Sequence, residues 1–267
     1  MPDIASEITN SVVQKLVAAH RSGERVPADA LTLEALSRAQ ALSIQHEVVS
    51  ALSLPVAGWK VAALADGDLV SAPIVRSRLF HSPASISPSV YGLGGVECEI
   101  AFRFAREPVP GRDGFASDHI IEAIDGACAA VEVADSRWAS EFSIPRNAMV
   151  ADLLSNGALI VGSVSKNWRD VAFDALGARL RINGDTICQT MGGHPYGDLI
   201  GLTVMLANDL RKRGLVIQPG EIVTTGSYTG FHTANPGDEI VAEFDGFTSV
   251  SVTFNSFENS GETCALR

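Results

Sequence analysis

Residues Val96 to Phe104 have the sequence VECEIAFRF, in which large apolar side chains alternate with mostly charged ones. A period of two is typical of a β-strand whose faces meet different surroundings. One face carries the apolar residues Val96, Cys98, Ile100, Phe102 and Phe104. The other face carries Glu97 and Glu99, whose positions are about 6.5 Å apart along such a strand. The stretch therefore predicts a core strand that presents two acids side by side.

Upstream of this strand the pattern is mainly helical. Two apolar stripes at helical spacing, within residues 8–17 and 36–52, predict two helices. GWKVAAL, which begins at Gly58, predicts a short strand. The passage from Asp66 to Gly95 contains several prolines and is predicted to be rich in loops.

Downstream of the strand, further β-strands are predicted. HIIEAIDGACAAVEVADSRW suggests a helix that runs into a strand carrying Glu132, and Leu199 to Arg213 is predicted to be a helix. Strand-like stretches are GALIVG, ARLRING, GEIVTTGS and the two halves of DEIVAEFDGFTSVSVTF. A helical N-terminal third before a strand-rich remainder favours an α+β fold over a doubly wound sheet.

Bulk composition excludes several classes of protein. The chain has 267 residues and a formal net charge of −11, from 20 basic and 31 acidic residues. Without a basic patch, such a chain is not expected to bind nucleic acid. No apolar run reaches the roughly 18 residues of a membrane span. The N-terminal stretch lacks the basic residues and the continuous apolar core of a signal peptide. We therefore expect a cytoplasmic protein with no membrane partner.

The cysteines do not form a recognisable framework. They lie far apart in the sequence, at Cys98, Cys128, Cys188 and Cys264. Neither the spacing of a zinc site nor that of a disulfide-rich domain is present, so we predict reduced thiols.

Glu132, within AVEVADSR, is a third acid in apolar surroundings, where an unpaired carboxylate is costly to bury. Three carboxylates suit a hard cation such as Mg²⁺ or Mn²⁺. Glu97 and Glu99 taken alone would more often belong to a solvent-exposed strand face that binds no metal. Lys60 stands in the apolar GWKVAAL and is a candidate proton donor or acceptor. Its ordinary alternative is a lysine at a strand edge with its amine in water.

Six motifs together resemble a known family. GWKVA, GVECEIAF, AAVEVADSRW, VADLLSNGALIVG, GHPYG and PGEIVTTGSYTG followed by PGDEIVAEFDGFTSVSVTF occur in order between about Gly58 and Phe254. They resemble the 2-keto-4-pentenoate hydratase and 4-oxalocrotonate decarboxylase family of the fumarylacetoacetate hydrolase superfamily. The resemblance implies a mixed β-sandwich or roll with a smaller helical N-terminal α/β part, divided here as residues 1–75 and 76–267, in a homo-oligomer.

The resemblance also implies roles for individual residues. Glu97, Glu99 and Glu132 would ligate Mg²⁺ or Mn²⁺, and Lys60 would be the acid/base residue beside a small 2-oxo acid. Ser155 matches a serine that lines the substrate pocket. The remaining implied positions, at a turn next to the substrate, are Ser227 and Thr229. The implied chemistry is a metal-stabilised enolate that leads either to hydration or to decarboxylation.

Three departures from the family pattern concern the substrate. Hydratases of the family carry an aspartate after the lysine segment, whereas this chain has Ile74 there. Leu153 replaces a polar residue of the pocket, and Tyr196 stands in the motif that follows His194. These changes imply a bulkier or less polar substrate. His81 and His194 are predicted to be structural, as most isolated histidines are.

Several functions stay open on this basis. The first is a lyase, either hydratase or decarboxylase, acting on a 2-hydroxy-2,4-dienoate or its 2-oxo tautomer. A C–C bond hydrolase of a diketo acid would need a histidine–glutamate pair, for which His81 is the available histidine. The third is a non-catalytic relative that keeps the metal site.

Overall fold

The computed structural model describes residues 4–63, 68–87, 92, 94–139 and 143–256. Its α-helices are α1 Ile4–Ser22, α2 Ala30–Glu34, α3 Arg38–Ala51, α4 Ser117–Ala123, α5 Arg146–Ala151 and α6 Leu199–Lys212. Its strands are β1 Val26–Pro27, β2 Val56–Ala63, β3 Leu69–Val75, β4 Leu79–His81, β5 Ala84–Ile86, β6 Gly95–Phe104, β7 Ile124–Ala134, β8 Trp138–Ala139, β9 Asn156–Val161, β10 Gly177–Ile182, β11 Asp185–Met191, β12 Ile222–Ser227, β13 His232–Thr233, β14 Glu239–Phe244 and β15 Val250–Phe254.

Two large sheets pack against each other. The eight-stranded sheet has the order β3-β2-β12-β6-β7-β9-β4, with β13 paired to β6. The five-stranded sheet has the order β11-β10-β14-β15-β5. Both sheets mix parallel and antiparallel pairs. The main core contains Ile100 and Val131 from the larger sheet and Leu180 and Val252 from the smaller one. The predicted α+β fold, with its mixed β-sandwich, is confirmed.

Strand β6 has the two faces that its sequence predicts. The apolar residues Val96, Cys98, Ile100, Phe102 and Phe104 are fully buried in the core between the sheets. The opposite face carries Glu97 and Glu99. In the antiparallel pairing of β6 with β7, Glu97 lies directly across from Glu132, so the three acids share one face of the sheet.

That second face is curled around a small apolar core of its own. Ile74 of β3 and Leu159 of β9 belong to one buried cluster although four strands separate β3 from β9 in the sheet. Small side chains, Ala101, Cys128 and Ala130, fill its interior and permit the tight curl. The pairing register places Lys60 and Thr224 on this face as well. The curl therefore brings residues from distant strands together.

Gly58 allows β2 to approach β12 closely. It pairs with Ile222, and a Cβ atom at Gly58 would lie 2.0 Å from the carbonyl oxygen of Ile222. We expect Gly58→Ala to lower the free energy of unfolding by roughly 1–3 kcal/mol, the usual effect of overpacking. Denaturant unfolding would measure this. Gly58→Val should lower it further, and unchanged midpoints for both variants would contradict the close approach.

The prediction of a loop-rich passage from Asp66 to Gly95 is wrong in part, because β3, β4 and β5 lie within it. All seven residues of β3 are buried, so this strand lacks the alternation that marks a half-buried one. Pro73 also suggested a loop, but β3 is at the edge of its sheet, where proline is tolerated. Residues 64–67, 88–91 and 93 lie outside the described residues.

The N-terminal helices pack against later parts of the chain. The two predicted helices correspond to α1 and α3, with the short α2 between them. Their apolar side chains share a cluster with Trp138 and Val150. Strands β2 and β3, which precede residue 76, belong to the larger sheet. The division into residues 1–75 and 76–267 stays a prediction. Within the described residues, no helix is long and apolar enough to cross a membrane.

Candidate metal centre

Three carboxylates converge on the curled face of the larger sheet. One oxygen each from Glu97, Glu99 and Glu132 can be chosen so that all lie within 4.8 Å of one another. Glu99 is 1% exposed and Glu132 is 2% exposed, so neither lies on a solvent-exposed strand face. Oxygen donors at this separation form a set that a hard divalent cation can bind.

Two of the carboxylates have raised pKa values. Burial, and then the charge of Glu132, raise the pKa of Glu97 to about 7. The pKa of Glu99 is raised well above its ordinary value by burial and by the charges of Glu132 and Glu97. A cation among them would offset both the desolvation and the mutual repulsion.

Two hydrogen bonds from strand β12 hold the Glu99 carboxylate. Thr224 Oγ1 and the Gly226 amide both donate to Glu99 Oε2, the amide at 3.2 Å. The register between β12 and β6 shifts between Thr224 and Ser227, and Gly226 has a φ of 98°. This bulge, which glycine accommodates without strain, turns the amide toward the acid. The local backbone therefore fixes the direction of the Glu99 carboxylate.

Lys60 reaches the carboxylates from strand β2. Its Nζ donates to Glu132 Oε1 and, at 2.9 Å, to the carbonyl oxygen of Leu154. The three consecutive residues Leu153, Leu154 and Ser155 have φ values of 50°, 53° and 54°, which are unfavourable for residues other than glycine. Such strain is commonly stored at functional sites. Here it directs a carbonyl group at the lysine.

A buried network supports Glu132 from behind. Asn156 Nδ2 donates to Glu132 Oε1 at 3.2 Å, and Arg137 Nη1 donates to the Asn156 carbonyl at 2.7 Å. Arg137 also forms an ion pair with the buried Asp152. Asp135, the acid two residues before Arg137, pairs instead with Arg25 at 3.1 Å. Support for Glu132 nevertheless comes from Arg137, by way of Asn156.

We expect Asn156→Ala to weaken Mn²⁺ binding by roughly 10- to 100-fold, as for other groups that orient a metal ligand. The variant removes the amide that holds Glu132 but leaves all three carboxylates. Calorimetric titration would measure the change. Asn208→Ala is the matched control, since Asn208 bonds to Phe115 away from this centre. Equal affinities for wild type and Asn156→Ala would contradict the supporting role.

Ser227 and Thr229 organise the turn that follows β12. Ser227 Oγ accepts the amides of Gly230 at 2.9 Å and Thr229 at 3.3 Å, and Ser227 pairs with Glu99 across β12 and β6. Thr229 Oγ1 accepts the Cys98 amide at 3.1 Å, between the two acids of β6. The structure thus brings both residues beside the carboxylates. Their contact with a substrate stays a prediction.

A cleft of about 340 Å³ opens beside Gly226 and Ser227. Its lining includes Ala62, Pro195 and Tyr196, and the residues that form it carry no formal charge when histidine is neutral. Because Ala62 follows Lys60 by two residues on the same face of β2, the cleft borders the carboxylates. It is the natural place for the carbon chain of a small ligand.

The structure does not bring every predicted residue into this cleft. Leu153 is 2% exposed and packs in an apolar cluster with Ala72 and Val75. The backbone amide of Ser155 donates to Asp152, and its carbonyl accepts the amide of Asp135. The assignments of Leu153 and Ser155 to the substrate pocket stay predictions.

The two histidines differ in their surroundings. His194 is buried, donates from Nε2 to the Thr225 carbonyl at 2.8 Å, and accepts two backbone amides at Nδ1. Burial lowers its pKa, so it is neutral. These bonds agree with the structural role predicted for it. His81 is exposed at the end of β4.

Sequence reasoning missed the residues that orient the carboxylates. Thr224, Gly226, Asn156 and Asp152 act through bonds that form only once β12, β9 and the turn before β9 are in place. Two sequence signals were available. Thr224 lies on the alternating strand GEIVTTGS, and Asn156 follows directly on Ser155.

Comparison with known proteins identifies the family. The fumarylacetoacetate (FAA) hydrolase C-terminal family matches residues 58–255. The fold is that of a solved 4-oxalocrotonate decarboxylase from Pseudomonas putida G7 in complex with magnesium and adipate. That match has a TM-score of 0.80 and 22% identity, and it covers 95% of this chain and 99% of the other. The chain belongs to the fumarylacetoacetate hydrolase family.

The curated relatives include proteins named as decarboxylases and proteins named as hydratases. A 4-oxalocrotonate decarboxylase from Pseudomonas putida is 33% identical over 159 residues, 60% of this chain and 59% of the relative. A 2-keto-4-pentenoate hydratase from Burkholderia vietnamiensis is 29% identical over 159 residues, 60% of each chain. The chain thus spans about three fifths of the length of these curated relatives.

Proposed function

We propose that this chain is a metal-dependent lyase acting on a small 2-oxo acid or its 2-hydroxy-2,4-dienoate tautomer. The observation that carries the proposal is the convergence of three carboxylates and Lys60 beside an uncharged cleft. Family membership and the names of the relatives support it.

Glu97, Glu99 and Glu132 would hold Mg²⁺ or Mn²⁺. The fit rests on their all-oxygen donor set, their separation and their raised pKa values. A solved relative contains magnesium, and another structure of that relative contains calcium. Counted at their ordinary charges, the three carboxylates and the Lys60 amine sum to a formal −2, which a divalent cation would neutralise. When bound, the cation supplies Lewis acidity to the 2-oxo acid group.

The chain's own residues would then orient the substrate and move protons. Lys60 is the proton carrier, because its Nζ is held at Glu132 and at the Leu154 carbonyl, facing the carboxylates. Ser227 would contact the substrate at the mouth of the cleft, and Thr229 would keep the Glu97–Glu99 backbone in place. The cleft walls would exclude bulk water from the carbon chain.

Hydration and decarboxylation share this arrangement, and one observation favours decarboxylation. Hydratases of the family carry an aspartate where this chain has Ile74. Ile74 is completely buried in the apolar core inside the curled sheet, so no acid is available there to handle water. The decarboxylase relatives at 33% and 32% identity support the same choice.

Two further alternatives have less support. A C–C bond hydrolase would need a histidine paired with an acid near the metal. Among the described residues His81 is exposed, and His194 has both ring nitrogens bonded to backbone groups. A non-catalytic relative would bind metal and turn over none of the candidate substrates.

The test is a substrate panel with the purified protein and Mg²⁺ or Mn²⁺. Loss of ultraviolet absorbance from 2-hydroxypenta-2,4-dienoate would report hydration, and release of CO₂ from 4-oxalocrotonate would report decarboxylation. We expect CO₂ release that stops when a chelator removes the metal. No turnover of either compound by metal-loaded protein would contradict a lyase and favour the non-catalytic alternative.

A cytoplasmic location and a homo-oligomer are also proposed. Cys98, Cys128 and Cys188 are free thiols, as expected in a reducing compartment, while Cys264 lies outside the described residues. Size-exclusion chromatography with light scattering would test the oligomer, and a monomer would contradict it.

A further inference from the structure

A second polar cavity lies on the other side of Arg137 from the carboxylates. It measures about 80 Å³ and is formed where the end of α1 meets the turn Arg76–Arg78 and the segment that follows β7. Its charged and titratable lining residues are His20, Glu24, Arg25, Arg78, Asp135 and Arg137. A single buried water needs roughly 10–15 Å³ on this kind of measure, so the cavity holds a group of several atoms.

Positive charge exceeds negative charge among the side chains that line this cavity. Arg25 is paired with Asp135, and Arg137 with Asp152. Arg78 lies near Asp135 and Arg137, but its guanidinium makes no hydrogen bond to any residue in the described part of the chain. The lining has three guanidinium groups and the two carboxylates of Glu24 and Asp135, a formal +1, and Asp152, which pairs with Arg137 from outside the lining, brings the total to zero.

His20 adds an unused polar atom to the same wall. Its Nε2 is buried and has no hydrogen-bond partner among the described residues. Burial, together with the charges of Arg137 and Arg78, lowers the pKa of His20 to about 3. The ring is therefore neutral at physiological pH, and Nε2 can donate a hydrogen bond in the tautomer that carries its proton there.

These groups lack an acceptor. Arg78 is only partly buried, but His20 Nε2 is fully buried, and buried polar atoms in folded proteins nearly always have partners. Guanidinium forks match the oxygens of carboxylates, sulfate and phosphate. We propose that this cavity is a binding site for one small oxyanion, held by Arg78 with His20 and the two paired arginines around it.

The site is distinct from the proposed metal centre. Arg137 stands between them, because it lines the cavity and also donates to the Asn156 carbonyl, while the Asn156 amide holds Glu132. The oxyanion proposal does not require the carboxylates to bind a metal. The two can therefore fail separately.

Sulfate is the probe for the test, added as sodium sulfate to the protein with Mg²⁺ and compared with sodium chloride at equal ionic strength. We expect saturable calorimetric binding of about one sulfate per chain. Arg78→Gln should weaken it about ten-fold or more, as expected when hydrogen bonds to a charged group are lost. Arg181→Gln is the matched control, since Arg181 is a surface arginine that bonds to Gly184 and Glu243.

Absence of saturable sulfate binding to wild type would overturn the proposal, and so would equal binding by a folded Arg78→Gln variant. If Arg78→Gln does not fold, Arg78→Lys serves instead, because it keeps the charge but loses the planar fork; unchanged binding by this variant would overturn the assignment to Arg78. The Mn²⁺ affinity of each variant, measured separately, reports on the metal centre.

The oxyanion can be a free ion or one carboxylate of a dicarboxylic acid. Adipate and hexanoate separate these sources. If adipate competes with sulfate, and Arg78→Gln weakens adipate but not hexanoate, then the cavity holds the second carboxylate of a diacid. If sulfate and adipate bind together, then it holds a free anion. Either result supports the site.

Discussion

Glu99→Gln is expected to reduce the affinity for Mn²⁺ by more than about 100-fold, because groups that only orient a metal ligand are already worth 10- to 100-fold. Glutamine keeps the shape of the side chain and can still accept from Thr224 and Gly226 through its amide oxygen. It removes the negative charge of the most buried of the three carboxylates. Calorimetric titration of the metal-free protein with Mn²⁺ would measure the loss.

The same variant is expected to stabilise the metal-free protein. Buried Glu99 is strained by desolvation and by its neighbours' charges, which raise its pKa. A carboxyl whose pKa is higher in the folded than in the unfolded protein contributes stability that is fully present below the unfolded pKa and is lost as pH rises through the folded pKa. Metal-free wild type should therefore lose stability from about pH 4.3 upward, through the Glu97 pKa of about 7. Glu99→Gln should flatten that decline.

These two effects have opposite signs, which separates metal binding from general damage. Glu243→Gln is the control, because Glu243 is a half-exposed partner of Arg179 on the smaller sheet. We expect it to leave both Mn²⁺ affinity and the pH profile unchanged. Wild-type Mn²⁺ affinity in Glu99→Gln, or a metal-free Glu99→Gln protein less stable than wild type at pH 8, would refute this account of the site.

The acids could be predicted from sequence because strand periodicity alone places them. Glu97 and Glu99 share a face by the period of two, and Glu132 was recognised as an acid in an apolar strand. That Glu97 lies across from Glu132 depends on the register of β6 with β7, which no local pattern of either strand specifies. The resemblance to the family supplied that connection.

The groups that orient the acids could not be predicted in the same way. Arg137, Asp152 and Asn156 meet through a turn in which three consecutive residues have left-handed φ values. Propensity disfavours that conformation for leucine and serine, so the sequence gives no local signal of it. Likewise β3 escaped recognition because both of its faces are buried. Tertiary packing overrides the local pattern at both places.

Lys60→Met is expected to lower kcat by roughly 10²- to 10⁴-fold, the usual contribution of a positioned proton carrier. Methionine keeps the apolar stem of the side chain but removes the amine that donates to Glu132 and to the Leu154 carbonyl. Metal binding should persist, because all three carboxylates remain and the local negative charge increases. Steady-state turnover and Mn²⁺ titration of the same preparation would measure both effects.

Lys166→Met is the matched control, since Lys166 is an exposed lysine paired with Asp125 outside the cleft, and its kcat should equal that of wild type. A lysine that merely stabilised Glu132 would change Mn²⁺ affinity and kcat together when removed. A proton carrier loses kcat while the affinity is kept or increased. Retention of more than about a tenth of wild-type kcat in Lys60→Met would therefore assign proton transfer to another group. Ile74 supplies no acid where it faces the interior of the curled sheet. Among the described residues, the remaining candidates are then a carboxyl of the metal centre or a group that holds a water in the cleft.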